Sequence, residues 1–192
     1  FGALKCIEIM NKFPRSAYVH IPFCHRRCFY CDFAVIPLGN KVETLQGYGS
    51  KTVKEYLHFL YKEILSIKHK SSLSTIYVGG GTPSILDPQQ IKQLIDLFKE
   101  NYGVDYGAEI TMEVDPASFN LDDLHGFINA GINRFSLGVQ SFDNQILQKS
   151  GRRHLREDAE KSCLWLKKVY SAGLIKSWSL DLIQNLPLSG LR

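Results

Sequence analysis

The stretch Thr75-Ile76-Tyr77-Val78-Gly79-Gly80-Gly81-Thr82-Pro83, with Asp87-Pro88 close behind it, decides the fold. Its first four residues are β-branched or aromatic and suit a strand. Three glycines end that run. Asp87 and Pro88 then supply an N-cap and a first helical position. The helix expected over 88–102 repeats Ile91, Leu94, Ile95 and Phe98 at helical spacing.

The same strand-then-helix unit recurs outward in both directions. Strand-like runs lie at 17–21, 109–114, 134–139 and 177–183. Helical patterns lie at 50–69 (Val53, Tyr56, Leu57, Leu60, Ile64, Ile67), at 121–130 stopped by Gly131, and at 156–172 stopped by Gly173. The polar, glycine-containing stretch 38–50 reads as a long surface loop. Alternating strands and helices imply parallel strands joined by crossover helices. The fold class is therefore α/β. About five units are present, against the roughly 250 residues of an eight-unit barrel. The expectation is a partial (β/α) barrel of parallel strands with outer helices, forming one incomplete domain over 1–192. The chain opens on Phe1 and stops at Leu191-Arg192, just after a strand and Pro187. We read it as trimmed or incomplete at its start and C-terminally truncated.

Composition narrows the class. The 192 residues are 44% hydrophobic and 22% charged, values of a globular chain. A net charge of +4, from 23 basic and 19 acidic residues, gives no case for a nucleic-acid partner. No run approaches the roughly 18 unbroken apolar residues of a membrane span. Five cysteines, three of them crowded together, do not read as a secreted disulfide framework. They point to a reducing compartment, either the cytoplasm or an organelle whose targeting segment would precede Phe1.

The crowded cysteines are Cys24, Cys28 and Cys31, spaced C-x3-C-x2-C. Thiolates are the usual ligands of iron–sulfur clusters, and three on one loop can bind three irons of a cubane, leaving the fourth iron open. Arg26 and Arg27 are placed to favour thiolates. Zinc is the competing reading, with His25 or Asp32 as a fourth ligand, although no second cysteine knuckle exists. Inert buried cysteines are the plain alternative, but apolar packing does not require this spacing. Cys6 and Cys163 stand alone and read as small apolar fillers.

Other candidates sit where strands end. Gly79-Gly80-Gly81-Thr82 could let backbone approach a ligand, or could simply be a tight turn. The Gly49-Ser50-Lys51-Thr52 string lacks phosphate-loop spacing. Glu113, Gln140 and Asp181 are polar groups flanked by apolar residues, and need partners if buried. Together they suit a ligand bearing an amine and ribose hydroxyls, or they pair inside a barrel. Arg152 could grip a carboxylate with its planar fork, or be an ordinary surface arginine.

In combination these motifs resemble the radical SAM superfamily, which uses S-adenosylmethionine (SAM), and in particular its coproporphyrinogen-III-oxidase-like branch. The carriers are Tyr18-Val19-His20-Ile21-Pro22-Phe23 leading into the cysteines, Gly-Gly-Gly-Thr-Pro at 79–83, Glu-Val-Asp-Pro at 113–116, Gly-Val-Gln-Ser-Phe at 138–142, Gly-Arg at 151–152 and Asp-Leu-Ile at 181–183. They span 17–187, and the resemblance implies an incomplete radical SAM core domain over 1–192. The resemblance implies a [4Fe-4S] cluster on Cys24, Cys28 and Cys31, with SAM on its open iron. Tyr18, Tyr30, Gly80, Gly81, Thr82, Glu113, Gln140, Arg152 and Asp181 would line the SAM site, Tyr30 facing the adenine. A one-electron donor would then allow SAM to be split into methionine and a 5′-deoxyadenosyl radical.

Two groups within the branch compete. Oxygen-independent coproporphyrinogen III dehydrogenases typically carry a further cysteine two residues after the triad, where this chain has Phe33. Cys31-Asp32-Phe33 is similar to the HemW heme-chaperone group. That resemblance implies heme as cargo and an unidentified acceptor protein. No catalytic residue is assigned. Asn185 stands where these proteins usually have glycine. His20, His25, His125 and His154 are present, with no basis for nominating one as a heme ligand. A zinc-stabilised binding module remains a lesser alternative.

Overall fold

The computed structural model describes residues 14–39, 48–67 and 71–186. Cys6, 40–47, 68–69 and Pro187 onward lie outside them. The elements run β1 (Ser16–Ile21), β2 (Phe23–Cys24), β3 (Ile36–Pro37), α1 (Tyr48–Ser66), β4 (Leu73–Gly80), α2 (Pro88–Asn101), β5 (Val104–Val114), α3 (Leu121–Asn129), β6 (Arg134–Gln140), α4 (Asn144–Lys149), α5 (Arg156–Ser171) and β7 (Ser177–Leu182). Five strands form one sheet in the order β1-β4-β5-β6-β7, every neighbouring pair parallel. Each strand lies beside the one before it in the sheet, as a barrel wall requires. The five predicted strands and four predicted helices are all present.

The strands alternate in a way that decides where the site can be. Val19, Ile21, Ile76, Val78, Ile110, Met112, Val114, Phe135, Leu137 and Val139 are buried, and belong to one core with the helices. Their neighbours in sequence are Tyr18, His20, Tyr77, Glu113, Arg134, Ser136 and Gln140. Successive side chains on a strand point to opposite faces, so the sheet has one apolar face and one polar face. The core strands would be continuous apolar runs if both faces were covered by helices.

Helix termini follow their sequence signals. Asp87 accepts from the Gln90 N–H at 2.9 Å while its own N–H donates to Gln90 Oε1 at 3.1 Å, a capping box that starts α2. Asn120 caps α3 in the same way, accepting from Asp122 and Asp123 N–H. Gly131 and Gly173 follow α3 and α5, their N–H groups donating to Ile128 O and Tyr170 O.

Four details differ from the sequence reading. First, Tyr48–Ser50 are helical and Leu38 is buried, so the expected 38–50 loop is shorter at both ends. Gly49 thereby lies inside α1 and forms no phosphate loop. Second, Ile67 is 56% exposed, because it lies past the end of α1 rather than on its apolar face. Third, β5 begins at Val104, with an irregularity that sets Val104 against Leu73 but Glu109 against Thr75. Gly107, at φ +81°, supplies the left-handed residue such a bulge uses. Fourth, α4 was not anticipated. Its cap, Asp143 accepting from Gln145 and Ile146 N–H, is legible, but its apolar pattern is too short to see.

Phe135 is wholly buried on the apolar face of an interior strand. Phe135→Ala should cost about 3–5 kcal/mol of stability. Urea unfolding checks this: the midpoint should fall with little change in slope.

Candidate metal centre

Ile21 ends β1, and the chain then passes through β2 into the cysteine loop. That loop is closed by short-range backbone pairing. Ile36 N–H donates to Pro22 O at 2.6 Å, Leu38 N–H to Cys24 O at 2.8 Å, and β2 pairs in parallel with β3. His20 Nε2 reaches Ala34 O at 3.0 Å, and Phe29 N–H donates to Ser150 O at 3.0 Å. The loop is therefore tied at both ends to β1 and at its middle to the turn after α4.

A cavity of about 300 Å³ opens between this loop and the carboxyl ends of the strands. Cys24, Cys28, Cys31, Tyr30, Gly80, Gly81, Thr82, Glu113, Gln140, Arg152 and Asp181 all line it. Tyr18 does not. It is 61% exposed, stacks on Tyr77 with ring centroids 6.0 Å apart, and borders a separate groove between β1 and α1. Its hydroxyl meets His20 Nδ1 at 3.2 Å.

The glycine turn works by close approach. Gly81 N–H donates to Ile21 O at 2.8 Å and Thr82 N–H to Phe23 O at 2.7 Å. A Cβ on Gly81 would lie 2.6 Å from Phe23 O and 3.0 Å from the Cys24 sulfur. Gly80 sits at φ +116°, where a Cβ would meet His20 Nδ1 at 2.6 Å.

Each polar strand end is held. Glu113 accepts from the Tyr77 hydroxyl at 2.8 Å and from Gly80 N–H at 3.0 Å. Burial raises its pKa above the ordinary carboxylate value, the two donors oppose that, and nearby Asp181 adds to it. Asp181 accepts from Ser136 Oγ at 2.9 and 3.1 Å. Gln140 adopts φ 66°, a left-handed conformation that turns the chain out of β6. Asn185 shares that conformation at φ 60°. Asparagine tolerates it better than most side chains do.

Arg152 is the junction. One guanidinium nitrogen, Nη2, pairs with Asp115 Oδ2, donates to Gly138 O at 2.7 Å and meets His154 Nδ1 at 3.3 Å. The other, Nη1, lies 3.7 Å from the Cys28 sulfur. Burial alone would lower its pKa, but Asp115, Tyr30 and Cys28 outweigh that and raise it. Tyr30 also hydrogen-bonds Cys28, and burial raises the pKa of its phenol. The sequence reading assigned the role of favouring thiolates to Arg26 and Arg27. Both line the cavity with the thiols, Arg26 donating to Arg152 O and Arg27 Nε to Cys31 O at 3.0 Å. Arg152, distant in sequence, also reaches a thiol. Asp115 and His154 were not singled out as site residues at all. For Asp115 the local signal was Asp115-Pro116 directly after a strand; His154 had none.

Among the described residues, no three His, Cys, Asp or Glu side chains converge on a single-ion site. The half-buried thiols of Cys24, Cys28 and Cys31 face a shared cavity instead. Cys24 accepts from Thr82 Oγ1 at 3.5 Å, and burial pushes its thiol pKa up. Three thiols from one loop, a side-chain-free backbone beside Cys24 and a cation beside Cys28 fit a thiolate-held iron–sulfur cluster.

The fold is a parallel α/β sheet with outer helices and a thiol-bearing loop at the carboxyl edge of its strands. The radical SAM superfamily profile matches residues 18–177, and the chain belongs to that superfamily. It is 41% identical to the heme chaperone HemW of Synechocystis sp. over 175 residues, which are 91% of this chain and 40% of that protein. It is 34% identical to the oxygen-independent coproporphyrinogen III oxidase of Escherichia coli, over 97% of this chain and 39% of that one. The solved structure of Escherichia coli coproporphyrinogen III oxidase (HemN), described as a radical SAM enzyme, superimposes with a TM-score of 0.75 at 32% identity, over 97% of this chain and 41% of that one. The chain thus spans less than half the length of these relatives. Among the described residues, no helix is long and apolar enough to cross a membrane.

Two outcomes test this geometry. Gly81→Ala should displace the Cys24 strand and lower the iron bound per chain after anaerobic reconstitution, measured by metal analysis. Glu113 has a raised pKa, so its contribution to stability is full below the ordinary carboxylate value and is lost as pH rises through the raised one. Urea titrations of metal-free protein from pH 4 to 7 should therefore show Glu113→Gln gaining on wild type as pH increases.

Proposed function

We propose that this chain is the core of a HemW-type heme chaperone, with Cys24, Cys28 and Cys31 holding a [4Fe-4S] cluster and SAM on the open iron. The observation that carries the reading is the convergence of the three thiols, the glycine turn and the polar strand ends on one cavity. When bound, the cluster and SAM supply one-electron reductive cleavage of the sulfonium.

The chain's own groups bind and orient. Glu113, fixed by Tyr77 and Gly80, and Asp181, fixed by Ser136, present carboxylate oxygens at strand ends to an amine and to ribose hydroxyls. Arg152 lines the same cavity, and its guanidinium brings to it a charge that suits a carboxylate. Tyr30 lines the same cavity and offers a ring face for a base. Gly80 and Gly81 keep side chains out of the space beside Cys24.

Heme as cargo rests on the HemW relatives and on Phe33, which lines the cavity where coproporphyrinogen dehydrogenases typically carry a further cysteine. An electron donor and a heme-accepting protein follow as partners, in a reducing compartment. The likeness to coproporphyrinogen III oxidase favours a second reading, oxidative decarboxylation of porphyrinogen propionates.

Anaerobic reconstitution of the full-length protein should give about four irons and four sulfides per chain, saturable heme binding, and no conversion of coproporphyrinogen to protoporphyrinogen. Stoichiometric zinc without iron would defeat the cluster. A loaded protein that ignores heme but decarboxylates coproporphyrinogen would establish the second reading instead.

A further inference from the structure

His154 is wholly buried, yet nothing in the proposed chemistry uses it. Its surroundings fix its protonation. Nε2 lies 3.0 Å from Val139 O, which can only accept, so Nε2 carries the hydrogen. Nδ1 is then a lone pair, and it faces Arg152 Nη2 at 3.3 Å. A second proton on the ring would set N–H against N–H, and burial disfavours the charged form besides. With both nitrogens engaged, His154 is also not free to act as an axial heme ligand.

Arg152 Nη2, which has two hydrogens, is therefore faced by three acceptors from three places in the fold, Asp115 after β5, Gly138 O in β6 and His154 before α5, with His154 as the longest contact and sharing a hydrogen with one of the other two. Asp115 is itself held, its Oδ1 accepting from Ala117 N–H at 3.1 Å and its N–H donating to Ser84 Oγ at 3.0 Å. A planar guanidinium gripped at one nitrogen has a fixed plane. Its remaining donors then have fixed positions, with Nη1 beside the Cys28 sulfur.

We propose that His154 is a positioning residue: with Asp115 and the Gly138 carbonyl it sets the plane of the Arg152 guanidinium, and so fixes the positive charge beside Cys28 and the donors presented to the cavity. The inference rests on the cluster-and-SAM reading above. A metal-ligating or metal-adjacent group is commonly oriented by an outer residue of this kind.

The test uses full-length protein, reconstituted anaerobically, as wild type, His154→Leu, His154→Phe and His154→Gln. Three quantities are measured: iron per chain, the cluster midpoint potential by redox titration followed by electron paramagnetic resonance, and the SAM dissociation constant by calorimetry. Leu and Phe fill the space but cannot accept from Arg152. They should load iron normally, show a lowered midpoint potential as the cation moves off, and bind SAM about tenfold more weakly, the weight of a hydrogen bond to a charged group. Gln can donate to Val139 O and accept from Arg152, and should restore both values.

Wild-type potential and SAM affinity in iron-loaded Leu or Phe variants would overturn the proposal. So would a Gln variant as impaired as Leu. If both apolar variants fail to fold, the Gln variant decides: wild-type values support positioning, and loss of both overturns it. A wild-type protein that takes up no iron or SAM would instead defeat the underlying reading, leaving a distinct result.

Discussion

A sheet of parallel strands covered by helices on one side must do something with its other side. Here the constraint is met by alternation toward the carboxyl ends of the strands. There Val19 and Ile21, Ile76 and Val78, Ile110, Met112 and Val114, and Phe135, Leu137 and Val139 join the helix-covered core, and the residues between them are His20, Tyr77, Thr111, Glu113, Ser136 and Gly138. Those groups are satisfied mostly across strands: Tyr77 to Glu113, Ser136 to Asp181 and Ser179, Arg134 to Ser179. The apolar face provides the folding free energy. The polar face is left to hold charge at the carboxyl ends, the edge where parallel α/β proteins bind ligands.

The cysteine loop exploits that edge because backbone can approach it closely. Gly81 and Thr82 donate to Ile21 O and Phe23 O, so the turn after β4 is sewn to the chain just before Cys24. Side chains there would force the loop outward. On its far side the loop is held by Phe29 to Ser150 and by Arg26 to Arg152 O. A loop pinned at several points loses little further freedom when a cofactor binds, which is the physical content of preorganisation. Arg152 joins loop, β5 end and β6 through one side chain, so a change at any of the three is felt at Cys28.

How much of this was legible in the sequence depends on distance along the chain. Strand and helix positions were readable because period and caps are local: Asp87-Pro88 and Asn120 announce their helices without reference to anything else. The thiols, Glu113, Gln140, Asp181 and Arg152 were readable because each stands at a strand end or within a recognisable motif. The partners of Arg152 were not. Asp115 lies 37 residues away and Cys28 124 residues away, and only the sheet order brings them together. Arg26 and Arg27 stand beside the thiols in sequence, and the loop keeps both at the cavity while they donate to backbone carbonyls. Tyr18 stands apart from the others: its side chain lies against Tyr77 rather than among the residues that line the cavity.

The charges left at the cavity indicate what kind of ligand belongs there. The buried cation is already neutralised by Asp115, and two carboxylates, Glu113 and Asp181, remain with hydroxyl or amide donors alone. Glu113 is raised in pKa partly because Asp181 is near, so the pair stores repulsion that a positive or hydroxyl-bearing ligand relieves. A phosphorylated ligand would add to that repulsion. A ligand with a cationic centre or with hydroxyl donors relieves it. The electrostatics of the strand ends therefore suit a cationic, hydroxyl-bearing ligand, the class of ligand that the proposed function calls for.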